Sequence, residues 1–144
     1  MTYCTQQDLA DRYGQIKLVQ LTDKTNRPQT TIDTVVVEKA ITDAASLINS
    51  FLGKRYQLPL TVSPPDVLVT YACQIAWFLL HGDTAGKEHP VRLAYADAMK
   101  WLERVSSGLV IIEGAGENVA PAGGGQIQTK GPERIFSRDR LQGF

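Results

Sequence analysis

His81 and His89 are the side chains able to exchange a proton near neutral pH, and they close together the string HGDTAGKEH, which also holds Asp83 and Glu88. Imidazoles and carboxylates in one short stretch are the raw material of acid–base or metal chemistry. Their spacing is not that of HExxH, in which two imidazoles one helical turn apart face a common ion. The string also lies where two helical patterns meet, and interhelix turns are ordinarily polar. Cys4 and Cys73 form no CxxC pair and no Cys/His cluster, so a zinc ligand set is missing. Cys73 falls inside an apolar helical pattern and reads as a small buried hydrophobe. The glycine-rich GAGENVAPAGGG has no following Lys-Ser/Thr and no strand–turn–helix context, so it does not read as a phosphate loop. Serines and threonines stand outside any nucleophile-elbow pattern. The expectation is a protein without catalytic residues, cofactor or metal, not an enzyme.

Charge narrows the alternatives further. Lys plus Arg and Asp plus Glu number 15 each, for a formal net charge of zero, which argues against a whole-molecule field for nucleic acid or anionic membrane. Arg55, Lys87, Arg92, Lys100 and Arg104 are spread among acids rather than massed on one element, as a solvated surface would be. A helical DNA-binding protein stays open as the alternative, since short helices joined by turns can build a helix-turn-helix. Trp77 and Trp101 fall on helical patterns, where packing is the simpler role than base stacking. No apolar run is long enough to cross a bilayer, and MTYCTQQDLADRYG lacks the regions of a secretion signal. Synthesis and residence in a reducing cytoplasm is the expectation.

The elements that carry these residues are helical. Thr5 precedes QQDLADRY as an N-cap with Asp8 in the first turn, Gly14 stops that short helix, and IKLVQL follows as a second brief apolar segment. Residues 22–33 are polar and breaker-rich, a loop. Asp33 or Thr34 caps a long helix whose stripe is Val37, Ala40, Ile41, Ala44, Ile48, Phe51 and Leu52, with Gly53 at its end. An extended linker, residues 55–60, leads to Ser63-Pro64-Pro65-Asp66, read as a serine-capped helix start. The helix that follows is apolar on nearly all sides and must be central, ending at Gly82. Pro90 opens the last helix, which runs to Ser107 with Gly108 as its C-cap. Residues 109–113, LVIIE, have β character; Val110, Ile111 and Ile112 are expected to pair along an edge between copies. The fold class is therefore all-α, a small bundle of about four helices with a short β-like segment and an extended C-terminal arm.

Two units are expected: a helical domain over residues 1–113 and a Gly-rich arm over 114–144. The arm opens with glycine, which is costly to order, and closes on TKGPERIFSRDRLQGF, where apolar and guanidinium groups return. Fully extended it spans roughly 100 Å. Arg134, Ile135, Phe136, Arg138, Arg140, Leu141 and Phe144 are the candidate docking residues: the apolar groups fill pockets and the arginines fork onto carboxylates.

The segments YCTQQDLADRYG, IDTVVVEKAITDAASLINSFLGKRYQLPL, SPPDVLVTYACQIAWFLLH, YADAMKWLERVSSGLV and FSRDRLQGF together resemble the Mu-type phage head–tail connector (adaptor) family, long of unknown function. The similarity covers essentially the whole chain, with RYQLPL and LADRYG its most specific pieces. The resemblance implies a virion neck component: a dodecameric ring of identical copies below the portal protein, extending the channel for packaged DNA without reading its sequence. It implies a portal partner above, a tail-side neck or terminator protein below, and no membrane. It also implies that the closing motif, Arg134 to Phe144, docks on the portal or on neighbouring subunits.

Overall fold

A helix with apolar residues around most of its circumference has to be covered from several directions, and that requirement sets the architecture. In a computed structural model, which describes residues 1–24, 26, 28–86, 89–113 and 115, this helix is α4, Asp66–His81. It follows α1 (Gln6–Tyr13), α2 (Gln15–Thr22) and α3 (Thr34–Leu52), and precedes a single 3-10 turn (Gly82–Thr84) and α5 (Pro90–Ser107). All-α is the observed class. Helix α4 buries Leu68, Ala72, Cys73, Ile75, Ala76 and Trp77, and packs most extensively on α3 and then on α5. Small side chains in the buried stripes, Ala40, Ala44 and Ala45 on α3 and Ala72 and Ala76 on α4, permit close approach of helices in a densely packed interior. Helices α4 and α5 run antiparallel: Phe78 stacks on Tyr95 while Tyr71 meets Trp101. Helices α1 and α2 cover a third side of α4, contributing fully buried Leu9 and Leu18 and a ring stack between Tyr13 and Trp77.

Local chemistry explains most boundaries. Thr5 caps α1 in a reciprocal box with Asp8, and Asp33 Oδ1 accepts from Val35 and Val36 N–H to cap α3. Gly14 closes α1 and opens α2 in one residue at φ 92°, a left-handed backbone that favours glycine. IKLVQL is thus part of a second helix, separated from the first by that single joint. At α4 the serine cap expected at Ser63 is not formed. The N-cap is Pro65, without a side-chain cap, and its carbonyl accepts from Leu68 and Val69 N–H at 2.8 and 3.1 Å. Successive prolines hold the backbone extended until Asp66, so Ser63 lies too far upstream to reach the first turn.

The polar stretch between α2 and α3 is organised by one carboxylate. Asp23, 4% exposed, accepts from the backbone N–H of Asn26, Thr30 and Thr31 at 2.9, 3.1 and 3.4 Å, and from Asn26 Nδ2 at 3.0 Å. Thr22 Oγ1 accepts from Asp33 N–H, linking the end of α2 to the cap of α3. Those donors, Asn26 N–H foremost, hold the Asp23 carboxyl well below the usual carboxylate range. A depressed folded value means the stabilisation is fully present above the ordinary carboxylate pKa of about 3.9 and fades as pH falls through the folded value. Asp23→Asn is expected to lower stability at pH 7 and to flatten the loss on acidification below about pH 4; urea unfolding at several pH values checks both slopes.

Candidate functional site

The residues that close the body and launch the chain beyond it form the most constrained arrangement outside the helices. Helix α5 ends at Gly108 in the left-handed region, φ 83° and ψ 9°. Gly108 N–H bonds Val105 O at 3.1 Å, and Leu109 and Val110 N–H both bond Arg104 O at 2.9 and 3.3 Å. This is a glycine C-cap that satisfies the last-turn carbonyls. The Arg55 guanidinium lies over the same turn, so close that a Cβ on Gly108 would meet Nη1 at 1.9 Å. Four residues past Gly108, Ile112 is 3% exposed and packs into the core, while its N–H donates to the Tyr56 hydroxyl at 2.8 Å. Tyr56 is itself fully buried and follows the turn that ends α3, its N–H bonded to Leu52 O at 2.8 Å. The end of α3 therefore clamps the chain segment that leaves α5.

That geometry corrects the β-like expectation for residues 109–113. None of them is in a strand, because the donors of Leu109, Val110 and Ile112 are spent on the helix cap and on Tyr56 rather than left open for a ladder. Of the three residues expected to meet another copy, Ile112 is core, Val110 is half-buried and Ile111 is 59% exposed. Arg134, Ile135, Phe136, Arg138, Arg140, Leu141 and Phe144, and the boundary drawn at 114, lie outside the described residues.

The histidines are brought together but serve helix ends. Their ring centroids are 5.6 Å apart. His81 Nδ1 donates to Trp77 O at 2.9 Å, and His89 Nδ1 accepts from Val91 N–H at 3.3 Å as the cap of α5. These bonds place a proton on Nδ1 of His81 and leave Nδ1 of His89 as an acceptor already engaged, so the two rings do not offer a matched pair of free lone pairs. Among the described residues no three His, Cys, Asp or Glu side chains gather as a metal set. Trp77 is core, stacked on Tyr13 at 4.2 Å, and Trp101 is half-buried against Tyr71. Surface grooves are shallow. The most apolar of them, 590 Å³, runs between α4 and α5 past Phe78, Leu93, Tyr95 and Met99, with Arg92 over the Phe78 ring at 5.7 Å and Glu103 at its edge. Neither this groove nor the Tyr56 clamp was visible as a site in the sequence. RYQLPL stood out there only as a distinctive string, and a lone tyrosine in a linker carries no sign of its distant partner.

The class defined by these features is a small helical body with a clamped C-terminal exit and no assembled catalytic constellation among the described residues. The model of the family described as Bacteriophage Mu, Gp36 matches residues 3–129, and the chain belongs to that family. It is similar to gene product J of Escherichia phage Mu, 34% identical over 148 aligned positions that cover 100% of this chain and 99% of the phage protein. It is also similar to the Mu-like prophage FluMu protein gp36 of Haemophilus influenzae, 32% identical over 115 positions, 78% of each chain. This is a phage-type protein, and among the described residues no helix is long and apolar enough to cross a membrane.

Tyr56→Phe removes the acceptor of a buried N–H while keeping the ring, and is expected to cost about 1–3 kcal/mol. Chemical denaturation measures the loss, and hydrogen exchange at Ile112 should accelerate more than at the centre of α4.

Proposed function

We propose that this chain is a structural virion protein, a head–tail connector that forms a ring below the portal, extends the DNA channel and joins head to tail. The observation that carries the reading is the clamped exit: a rigid helical body holds residue 112 in place, and the sequence beyond is a glycine-rich spacer ending in RIFSRDRLQGF. A ring subunit needs a firm body and a compliant attachment, and this chain separates the two. Arg134, Ile135, Phe136, Arg138, Arg140, Leu141 and Phe144 are the docking residues, engaging the portal or a neighbouring subunit. Each engagement is weak because ordering a spacer costs conformational entropy, but repetition around a ring makes successive engagements intramolecular and the sum tight.

Contacts between identical copies use the body. Exposed Ile111 and Leu109 and the α4–α5 groove offer apolar surface of the kind that associating subunits cover. Net charge of zero limits repulsion among siblings and suits a channel through which DNA passes without being gripped. The protein works in the virion neck after assembly in the host cytoplasm, between the portal and a tail-side neck or terminator protein, and performs no chemistry.

Removal of residues 116–144 is expected to leave the thermal transition of the body in place while attachment to the portal is lost, as read by native mass spectrometry of the mixed proteins. Attachment by the truncated chain, or steeply salt-dependent DNA binding by the full chain, would instead favour the helical DNA-binding alternative or another role. Phe136→Ala and Arg138→Ala should each weaken attachment at least several-fold, in keeping with docking anchors worth more than about 1 kcal/mol. Ile111→Lys should reduce self-association without changing the circular dichroism spectrum, whereas Ile112→Lys should unfold the exit.

A further inference from the structure

Two apolar surfaces of this chain stand apart and uncovered, and their chemistry matches. The first is the exit from α5. Val110 is half-buried and Ile112 is 3% exposed, and the residues beside them face out: Leu109 is 79% exposed, Ile111 is 59% exposed, and Glu113 is exposed beyond them. The strip is held from two directions. Leu109 and Val110 N–H are bonded to Arg104 O, and Ile112 N–H to the Tyr56 hydroxyl. Two large aliphatic side chains are thus kept in water by a backbone fixed to its own body. The second surface is the 590 Å³ groove between α4 and α5, built on Phe78, Tyr95 and Met99 with Leu93 beside them, 57% exposed. The Arg92 guanidinium lies over the Phe78 ring at 5.7 Å, and Glu103 stands further along the groove. Within one copy the surfaces do not cover each other, since Leu109, Ile111 and Leu93 are all exposed.

We propose that the strip Leu109, Ile111 and Glu113 of one copy seats in the α4–α5 groove of a second copy, with Glu113 set against Arg92. The match selects this occupant. Two aliphatic side chains meet an apolar floor, and a carboxylate meets an exposed guanidinium of opposite sign. The glycine cap and the Tyr56 clamp have already fixed the strip, so seating it orders little further chain. Strip and groove are different patches, which makes the contact heterologous: each copy gives one strip and receives one, so association continues past two and ends where a ring closes. The contact supplies the subunit interface of the proposed connector, and its place in a ring rests on that reading; the pairing itself is a property of the isolated chain.

Analytical ultracentrifugation of the full chain over a range of concentrations tests it. The unmodified chain is expected to associate beyond a dimer. Leu93→Asp and Ile111→Lys, both at exposed positions, should each keep the native circular dichroism and weaken association at least about tenfold. Mixed together they should form a one-to-one dimer and nothing larger, because one supplies an intact strip and the other an intact groove. Arg92→Glu and Glu113→Arg should each weaken association and, combined in one chain, restore it. An unmodified chain that stays monomeric or stops at a dimer, a mixture that stays monomeric, or charge reversals that fail to compensate would overturn the proposal. Native mass spectrometry with the portal separates this result from the connector reading. A chain that binds the portal while these variants leave self-association unchanged loses this contact alone; one that pairs as described but does not bind the portal loses the connector reading alone.

Discussion

Covering α4 is the constraint on which the rest of the molecule depends. Leu68 and Ile75 share one sector of the helix while Trp77 points to the opposite one, and each fully buried aliphatic side chain of this size favours the folded state by about 1.5–3 kcal/mol. One neighbouring helix cannot cover them all. Helix α3 takes one side, α5 another, and the α1–α2 pair a third. The ring stack of Tyr13 on Trp77 is a consequence: it brings an N-terminal residue onto the central helix.

Both ends of the body are fastened near the C-terminal end of α3. Tyr3 bonds Asn49 in its last turns, and Tyr56, just past its end, holds Ile112. Helix α3 thus acts as a brace: it packs on α4 along its length and fixes the entry and the exit of the chain. For a subunit proposed to attach through a trailing segment this matters mechanically. A pull on the segment is taken up at the Tyr56–Ile112 clamp and the Gly108 turn before it reaches the helices, and those contacts include a buried hydrogen bond and a glycine held in a left-handed backbone.

Local signals were legible where the physics is local. Thr5, Asp33, Gly53, Gly82, Pro90 and Gly108 each mark a helix boundary, because caps and breakers act through a few neighbouring backbone groups. Ser63 failed as a cap because two prolines intervene, a steric effect that outweighs a cap pattern. The β character of 109–113 misled because propensity says nothing of where backbone donors are spent. Here a glycine cap and a tyrosine on another element took them. Asp23 gave no sign of its role either, since its partners are arranged only once the loop between α2 and α3 has folded around it.

By itself the sequence determined the helical class, the number and ends of the long helices, the central place of α4, and the family, since periodicity, caps and kinship are written along the chain. Tertiary structure alone decided which distant groups meet: Tyr56 with Ile112, Arg55 with Gly108, His81 with His89. The reason is physical. A helix boundary depends on interactions within a turn or two, whereas these pairings depend on how whole helices settle against one another while burying α4.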